Sequence, residues 1–159
     1  TVYSEIGKGT TFRVFLPAIE GEAETDVETT GIMPAFGTET VLLVDDEAFV
    51  RELGARILTK HGYTVLQAVN GREALGLFKK ERSRISLVIL DLIMPEMGGT
   101  ECLKELLKID PQVSVLVASG YAADASEKET IQMGAKGFVT KPFRVKELLR
   151  DVRKVLDES

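Results

Sequence analysis

Four short apolar runs, each stopped by a polar residue, constrain this chain more than anything else in it. Val41-Leu42-Leu43-Val44 runs into Asp45-Asp46, and Leu87-Val88-Ile89-Leu90 runs into Asp91. Val113 to Ala118 runs into Ser119-Gly120, and Phe138-Val139-Thr140 runs into Lys141-Pro142. Unbroken apolar runs of this length suit strands covered on both faces, as in a parallel sheet. A weaker run, Tyr63 to Ala68, fits an edge strand. Helical patterns lie between the runs. Phe49, Leu53, Ile57 and Leu58 recur at 3.6-residue spacing, and His61-Gly62 is the stop signal, with His61 read as a solvated C-terminal cap. Residues 71–82, 99–108, 124–133 and 143–157 supply four more helices; Asp124 is the expected N-cap of the third of these, and Gly134 ends it. Five alternating strand–helix units predict a doubly wound α/β domain with right-handed crossovers.

In open parallel sheets, ligands bind beyond the carboxyl ends of the strands, which is where these polar residues stand. If the strands are neighbours, Asp45, Asp46, Asp91, Ser119 and Lys141 converge on one small crevice. Three adjacent carboxylates repel one another and resist sharing a site unless a cation holds them. Hard oxygen donors favour Mg²⁺, which keeps several waters and bridges to phosphate. The implied chemistry is phosphoryl transfer onto a carboxylate. Asp91 is then the nucleophile. Asp46 is a direct metal ligand, Asp45 binds directly or through water, and the backbone carbonyl of Ile93 offers a further oxygen. Lys141 neutralises the phosphoryl oxygens, and Ser119 hydrogen-bonds one of them after transfer. Lys141-Pro142 is a candidate cis peptide. Taken singly, these signals have plainer readings: Asp45-Asp46 suits a helix N-terminus, Met94-Pro95 an ordinary turn, and Phe138 the core.

Counting removes most rival chemistries. One cysteine and one histidine leave no internal disulfide and no thiolate zinc site. Cys102 reads as a small buried hydrophobe on the third helix. A net charge of −5 gives no electrostatic reason to expect nucleic acid or an anionic membrane as a partner, and no apolar run reaches membrane-spanning length. The charge is unevenly placed. Residues 1–38 hold six acids against Lys8 and Arg13, whereas residues 39–159 are nearly neutral. Residues 18–38 read as a flexible acidic linker, spanning roughly 25 Å on average.

The run Val41 to Glu47 resembles the acid-pair strand of response-regulator receiver domains. Asp91-Leu92-Ile93-Met94-Pro95-Glu96-Met97-Gly98-Gly99 is similar to their phosphorylation loop, and Ala118-Ser119-Gly120-Tyr121 and Gly134 to Phe143 are similar to the remaining two motifs. The resemblance covers residues 40–157. It implies a flavodoxin-like five-stranded parallel sheet of order 2-1-3-4-5. It further implies Mg²⁺-dependent transfer from phosphohistidine, supplied by a histidine kinase or a histidine phosphotransfer domain, in a cytoplasmic setting. It also implies a switch in which Ser119 moves inward and Phe138 rotates to follow, remodelling a face of the fourth helix, fifth strand and fifth helix that is also a possible dimer surface. Ile93 and Tyr121 would flank the path of the attacking water in this fold, so their bulk implies slow hydrolysis of the aspartyl phosphate. Two other functions compete: a turnover phosphatase using Asp91, disfavoured because Ile93 stands where such enzymes place a second aspartate, and a docking module with a vestigial acidic site.

Residues 1–17 are a separate matter. Gly7-Lys8-Gly9-Thr10 is a weak candidate phosphate loop and reads more simply as a turn before a strand over Thr11 to Leu16. The segment resembles the last glycine box and final strand of histidine-kinase ATP-binding domains, with Ile6 where proline is frequent. That implies a hybrid sensor histidine kinase, of a kind that can be membrane-associated, carrying this receiver at its C-terminus. The present residues alone would lack kinase activity and membrane contact. A strand cut from its sheet in this way is expected to be disordered, loosely packed, or paired with another chain.

Overall fold

The computed structural model describes residues 1–15, 36–120 and 124–158, without the side chains of residues 124–128. Among these residues no helix is long and apolar enough to cross a membrane. The chain divides into two units, Thr1–Gly31 and Ile32–Ser159.

In the first unit, β1 (Val2–Glu5) and β2 (Gly9–Phe12) form an antiparallel hairpin, with Val2 opposite Phe12 and Glu5 opposite Gly9. This corrects two expectations. The strand starts at Gly9 rather than Thr11, and it pairs within its own segment. The cause is local: Gly7 and Gly9 take φ of 80° and 101°, a backbone region glycine enters without steric cost. The Gly-Lys-Gly stretch is therefore a hairpin turn, closed by a hydrogen bond from Lys8 N–H to the Glu5 carbonyl. Leu16 and Pro17 lie outside the described residues.

The second unit carries β3 (Thr40–Val44), α1 (Ala48–Lys60), β4 (Thr64–Ala68), α2 (Gly71–Glu81), β5 (Ile85–Asp91), α3 (Gly99–Ile109), β6 (Val115–Ser119), α4 (Asp124–Met133), β7 (Gly137–Thr140) and α5 (Val145–Asp157). The five strands form one parallel sheet of order β4-β3-β5-β6-β7. Counted within this unit, that is the expected 2-1-3-4-5. Side chains alternate across a strand, and the apolar runs split accordingly into two cores. Val41, Leu43, Leu87 and Ile89 pack with Leu58 of α1 and Leu148 and Val152 of α5. Leu42, Val44, Val88 and Leu90 pack with Phe78 of α2 and Leu103 and Leu106 of α3. Helices therefore cover both faces, which is why the strands read as unbroken apolar runs.

Two aromatic expectations fail. Phe49 shares the 3.6-residue stripe of α1 yet is exposed. It sits in the first turn of the helix, where its neighbour Val50 is the residue that packs against the core. Phe138 is not a core residue but half-exposed, because β7 is an edge strand and Val139, on the opposite face, is the residue that packs inward. Cys102 behaves as expected. It is fully buried against Gly71, and burial pushes its thiol up to about 12. The native chain should therefore resist a thiol reagent at pH 8 and release one reactive thiol on denaturation; rapid native labelling would contradict this burial.

His61 ends α1, its ring nitrogen bonded to the Ile57 carbonyl, and Gly62 turns the chain at φ 94°. A Cβ at Gly62 would strike the Gly37 carbonyl. Gly37 is itself hydrogen-bonded to the His61 carbonyl, so residues 36–38, read from sequence as linker, run along the domain. Just beyond them Glu39 pairs with Arg153 of α5 at 2.8 Å, and Arg153 also reaches Asp157. The Arg153 hydrogen bond holds the Glu39 carboxyl below its usual range. A depressed carboxylate contributes stability above its unfolded pKa and loses it as pH falls through the folded one. Arg153→Ala should cost about 1 kcal/mol at neutral pH, with the gap to wild type closing below about pH 4. Thermal melts at both pH values check this; a gap that persists in acid would contradict it.

Candidate phosphoryl-transfer site

Strand register builds the site. Val44 of β3 stands beside Leu90 of β5, so one residue further on Asp45 and Asp91 are neighbours. Period-two alternation then puts Asp45, Asp91 and Lys141 on the face shared by Leu43, Ile89 and Val139. Ser119 has the opposite parity, following Val117 in alternation. The crevice lies where the chain leaves β3 in one direction for β4 and returns on the other side as β5, the switch point of an open α/β sheet.

Asp45, Asp46, Asp91 and Lys141 meet as expected. Carboxylate oxygens of Asp45, Asp46 and Asp91 all lie within 4.8 Å of one another. Lys141 Nζ donates to Asp91 Oδ2 at 2.8 Å and to Asp45 Oδ2 at 3.0 Å. Asp45, Asp91 and Ser119 are buried, whereas Asp46 is exposed at the mouth. Ile93 stands just past the nucleophile position with its side chain 85% exposed, and its N–H donates to Asp91 Oδ1 at 3.3 Å. Tyr121, the other residue expected beside the water path, lies outside the described residues, as does any capping contact of the Asp124 side chain.

Backbone features shape the rim. Lys141-Pro142 is cis, and Lys141 N–H donates to the Ser119 carbonyl at 2.7 Å, which joins the ends of β6 and β7. Gly99 opens α3 so close to the end of β5 that a Cβ there would collide with the Asp91 carbonyl. Glu96 takes φ 65° in the loop between them, an uncommon conformation for a non-glycine residue. The loop after Asp91 is thus tightly specified by sequence.

The electrostatics are unbalanced. Burial raises the Asp45 carboxyl above its ordinary value, and the Lys141 hydrogen bond opposes that only in part. Burial alone would lower the Lys141 ammonium, but its hydrogen bonds to Asp91 and Asp45 outweigh this and leave it raised. Among the described residues, the Lys141 ammonium is the one paired with this cluster of three carboxylates. Glu47 adds a fourth acid 4.0 Å from Lys141.

One neighbour was not anticipated from sequence. Arg51 Nη1 donates to the Asp45 carbonyl at 2.7 Å and to the Asp46 carbonyl at 3.4 Å. A faint signal existed: a cation in the first turns of a helix opposes the macrodipole, so its presence there asks for a reason.

Comparison with known proteins agrees with this geometry. The family model for the response regulator receiver domain matches residues 41–153. Sensor kinase CckA of Brucella abortus is 38% identical over 164 residues, covering 98% of this chain and 17% of its own length. Chemotaxis protein CheY of Thermotoga maritima is 42% identical over 116 residues, covering 72% of this chain and 95% of its own. Among solved structures, the receiver domain of NtrX from Brucella abortus superposes with a TM-score of 0.71 at 30% identity, covering 75% of this chain and 99% of that one. A chain of the CheX-CheY-BeF3-Mg+2 complex from Borrelia burgdorferi gives 0.71 at 31% identity, covering 74% of this chain and 88% of that one. Fold, strand-end carboxylates and family match together place this chain in the response regulator receiver family, as a receiver domain of a two-component phosphorelay.

Proposed function

We propose that Asp91 is the phosphoacceptor and that the reaction requires Mg²⁺. The observation that carries this reading is the packing of three carboxylates within 4.8 Å against a single ammonium. Such a cluster has an excess of negative charge and offers only hard oxygen donors, which fits a small divalent cation. Asp45, Asp46, Asp91 and the backbone carbonyl of Ile93 would hold it. When bound, the cation would supply neutralising charge for the phosphoryl oxygens.

The residues of the chain would do the rest. An Asp91 carboxylate oxygen forms the new O–P bond as the P–N bond of a phosphohistidine breaks, and the imidazole leaves to take up a proton. Lys141, now shared by Asp45 and Asp91, would turn to a phosphoryl oxygen. Ser119 would donate its hydroxyl to another. The half-exposed Phe138 would then rotate as Ser119 moves, altering the face made by α4, β7 and α5. Ile131 and Val145 are also exposed on these elements, which suits a partner or dimer surface.

Residues 1–17 are read as the end of a histidine-kinase ATP-binding domain, followed by a linker over 18–38 and the receiver over 39–159. The CckA match supports this, since it extends over 98% of the chain and so takes in the front segment. The parent would be a hybrid sensor histidine kinase, with its receiver in the cytoplasm and a kinase or phosphotransfer histidine as donor.

Acetyl phosphate with Mg²⁺ tests the reading. Stoichiometric, hydroxylamine-labile labelling of one carboxylate is the expected outcome. Rapid multiple turnover would indicate a phosphatase instead, and no reaction would indicate a docking module.

A further inference from the structure

We propose that Arg51 is a positioning residue of this site, holding the backbone of Asp45 and Asp46 so that both carboxylates face Asp91. The inference rests on the Mg²⁺ reading above. β3 ends at Val44, and the Asp45 N–H makes a last bond across to the Ala68 carbonyl. The two peptide carbonyls that follow lie past the strand, and Arg51 binds both, at 2.7 and 3.4 Å.

Arg51 is held in turn by the segment it fixes. Asp45 Oδ1 accepts the Glu47 N–H at 2.9 Å, the Glu47 carbonyl accepts the Arg51 N–H at 3.0 Å, and the guanidinium returns to the Asp45 carbonyl. The result is a closed ring of hydrogen bonds from residue 45 to residue 51. Both bonds leave the same nitrogen, Nη1, which the planar guanidinium holds in a fixed direction, whereas a lysine ammonium sits on a flexible stem. Arg51 directs these bonds to carbonyls, so it places positive charge beside the acid pair without occupying the carboxylate oxygens that a cation would need. That role also accounts for a cation tolerated against the dipole at the start of α1.

Titration calorimetry with Mg²⁺ on the full chain, for wild type, Arg51→Ala and Arg51→Lys, tests this. Loss of a residue that orients metal ligands typically weakens metal binding about 10- to 100-fold, and that is the expected loss for Arg51→Ala. Arg51→Lys, which keeps the charge but not the planar, rigid guanidinium, should fall between the two. Melting curves without Mg²⁺ report folding separately, and the lysine variant carries the test if the alanine variant folds poorly. Unchanged binding in both variants would overturn the proposal. So would tighter binding in Arg51→Ala, which would make Arg51 only a charge competing with the cation. Failure of the wild type to bind Mg²⁺ would instead overturn the metal reading, and this inference with it.

Discussion

Asp91→Asn is expected to abolish phosphoryl labelling, by at least about a thousandfold, while leaving the fold intact. The amide has nearly the same shape as the carboxylate but is not a competent nucleophile. No charge is orphaned by the change, because Lys141 keeps its 3.0 Å pair with Asp45. The substitution also removes one of three mutually repelling carboxylates, so the Mg²⁺-free melting temperature should not fall by more than a few degrees. Labelling with acetyl phosphate and a thermal melt on the same sample check both halves. Retained labelling would mean another carboxylate is the acceptor. Lost labelling with an unfolded protein would leave the nucleophile role to be read from Asp91→Glu, which keeps the charge and should label weakly if position matters.

Lys141→Met should have the largest effect on stability. Its ammonium is the partner of two buried carboxylates, Asp45 and Asp91. Removing one member of a buried ion pair costs about 3–5 kcal/mol, because the remaining charge is left uncompensated. Asp46 opens the site to water, so the lower end is expected, which for a domain of this size lowers the melting temperature by about 10 °C. The pH dependence gives a sharper check. Burial already raises the Asp45 carboxyl, and Lys141 is what opposes that rise; without it the folded-state value climbs further. A carboxyl whose folded value lies above its unfolded one binds protons more readily in the native state, so folding strengthens as pH falls toward that folded value. The variant should therefore recover part of its lost stability on moving from neutral to mildly acidic buffer. Mg²⁺ should restore part of it at neutral pH. A melting temperature equal to wild type, insensitive to both pH and Mg²⁺, would show that the ammonium is not the counter-charge described here.

The sheet and the meeting of Asp45, Asp91 and Lys141 were legible because they follow from two strong signals. Apolar runs with no polar interruption specify strands buried on both faces, and period-two alternation then fixes which strand-end residues share a side. What was not legible depends on where an element ends relative to its neighbours. Periodicity assigned Phe49 to the apolar stripe of α1, but in that first turn Val50 is the residue that meets the core. Phe138 lies on an edge strand, where half of the covering layer is missing, and nothing in three residues of sequence marks an edge. The hairpin of residues 2–12 was hidden because Val2–Glu5 is only four residues long and shows no alternation strong enough to announce a strand. Arg51 acts through main-chain carbonyls, and such contacts leave no pattern in the residue types they join.

The most direct test is to phosphorylate the chain with acetyl phosphate, trap it with borohydride, and map the product by peptide mass spectrometry. Borohydride reduces an acyl phosphate to the alcohol, so the modified carboxylate is marked permanently. Conversion at Asp91 alone, in Mg²⁺ and not in a chelator, is the expected result. Conversion at Asp45 or Asp46, or conversion at Asp91 that proceeds equally without a divalent cation, would contradict it.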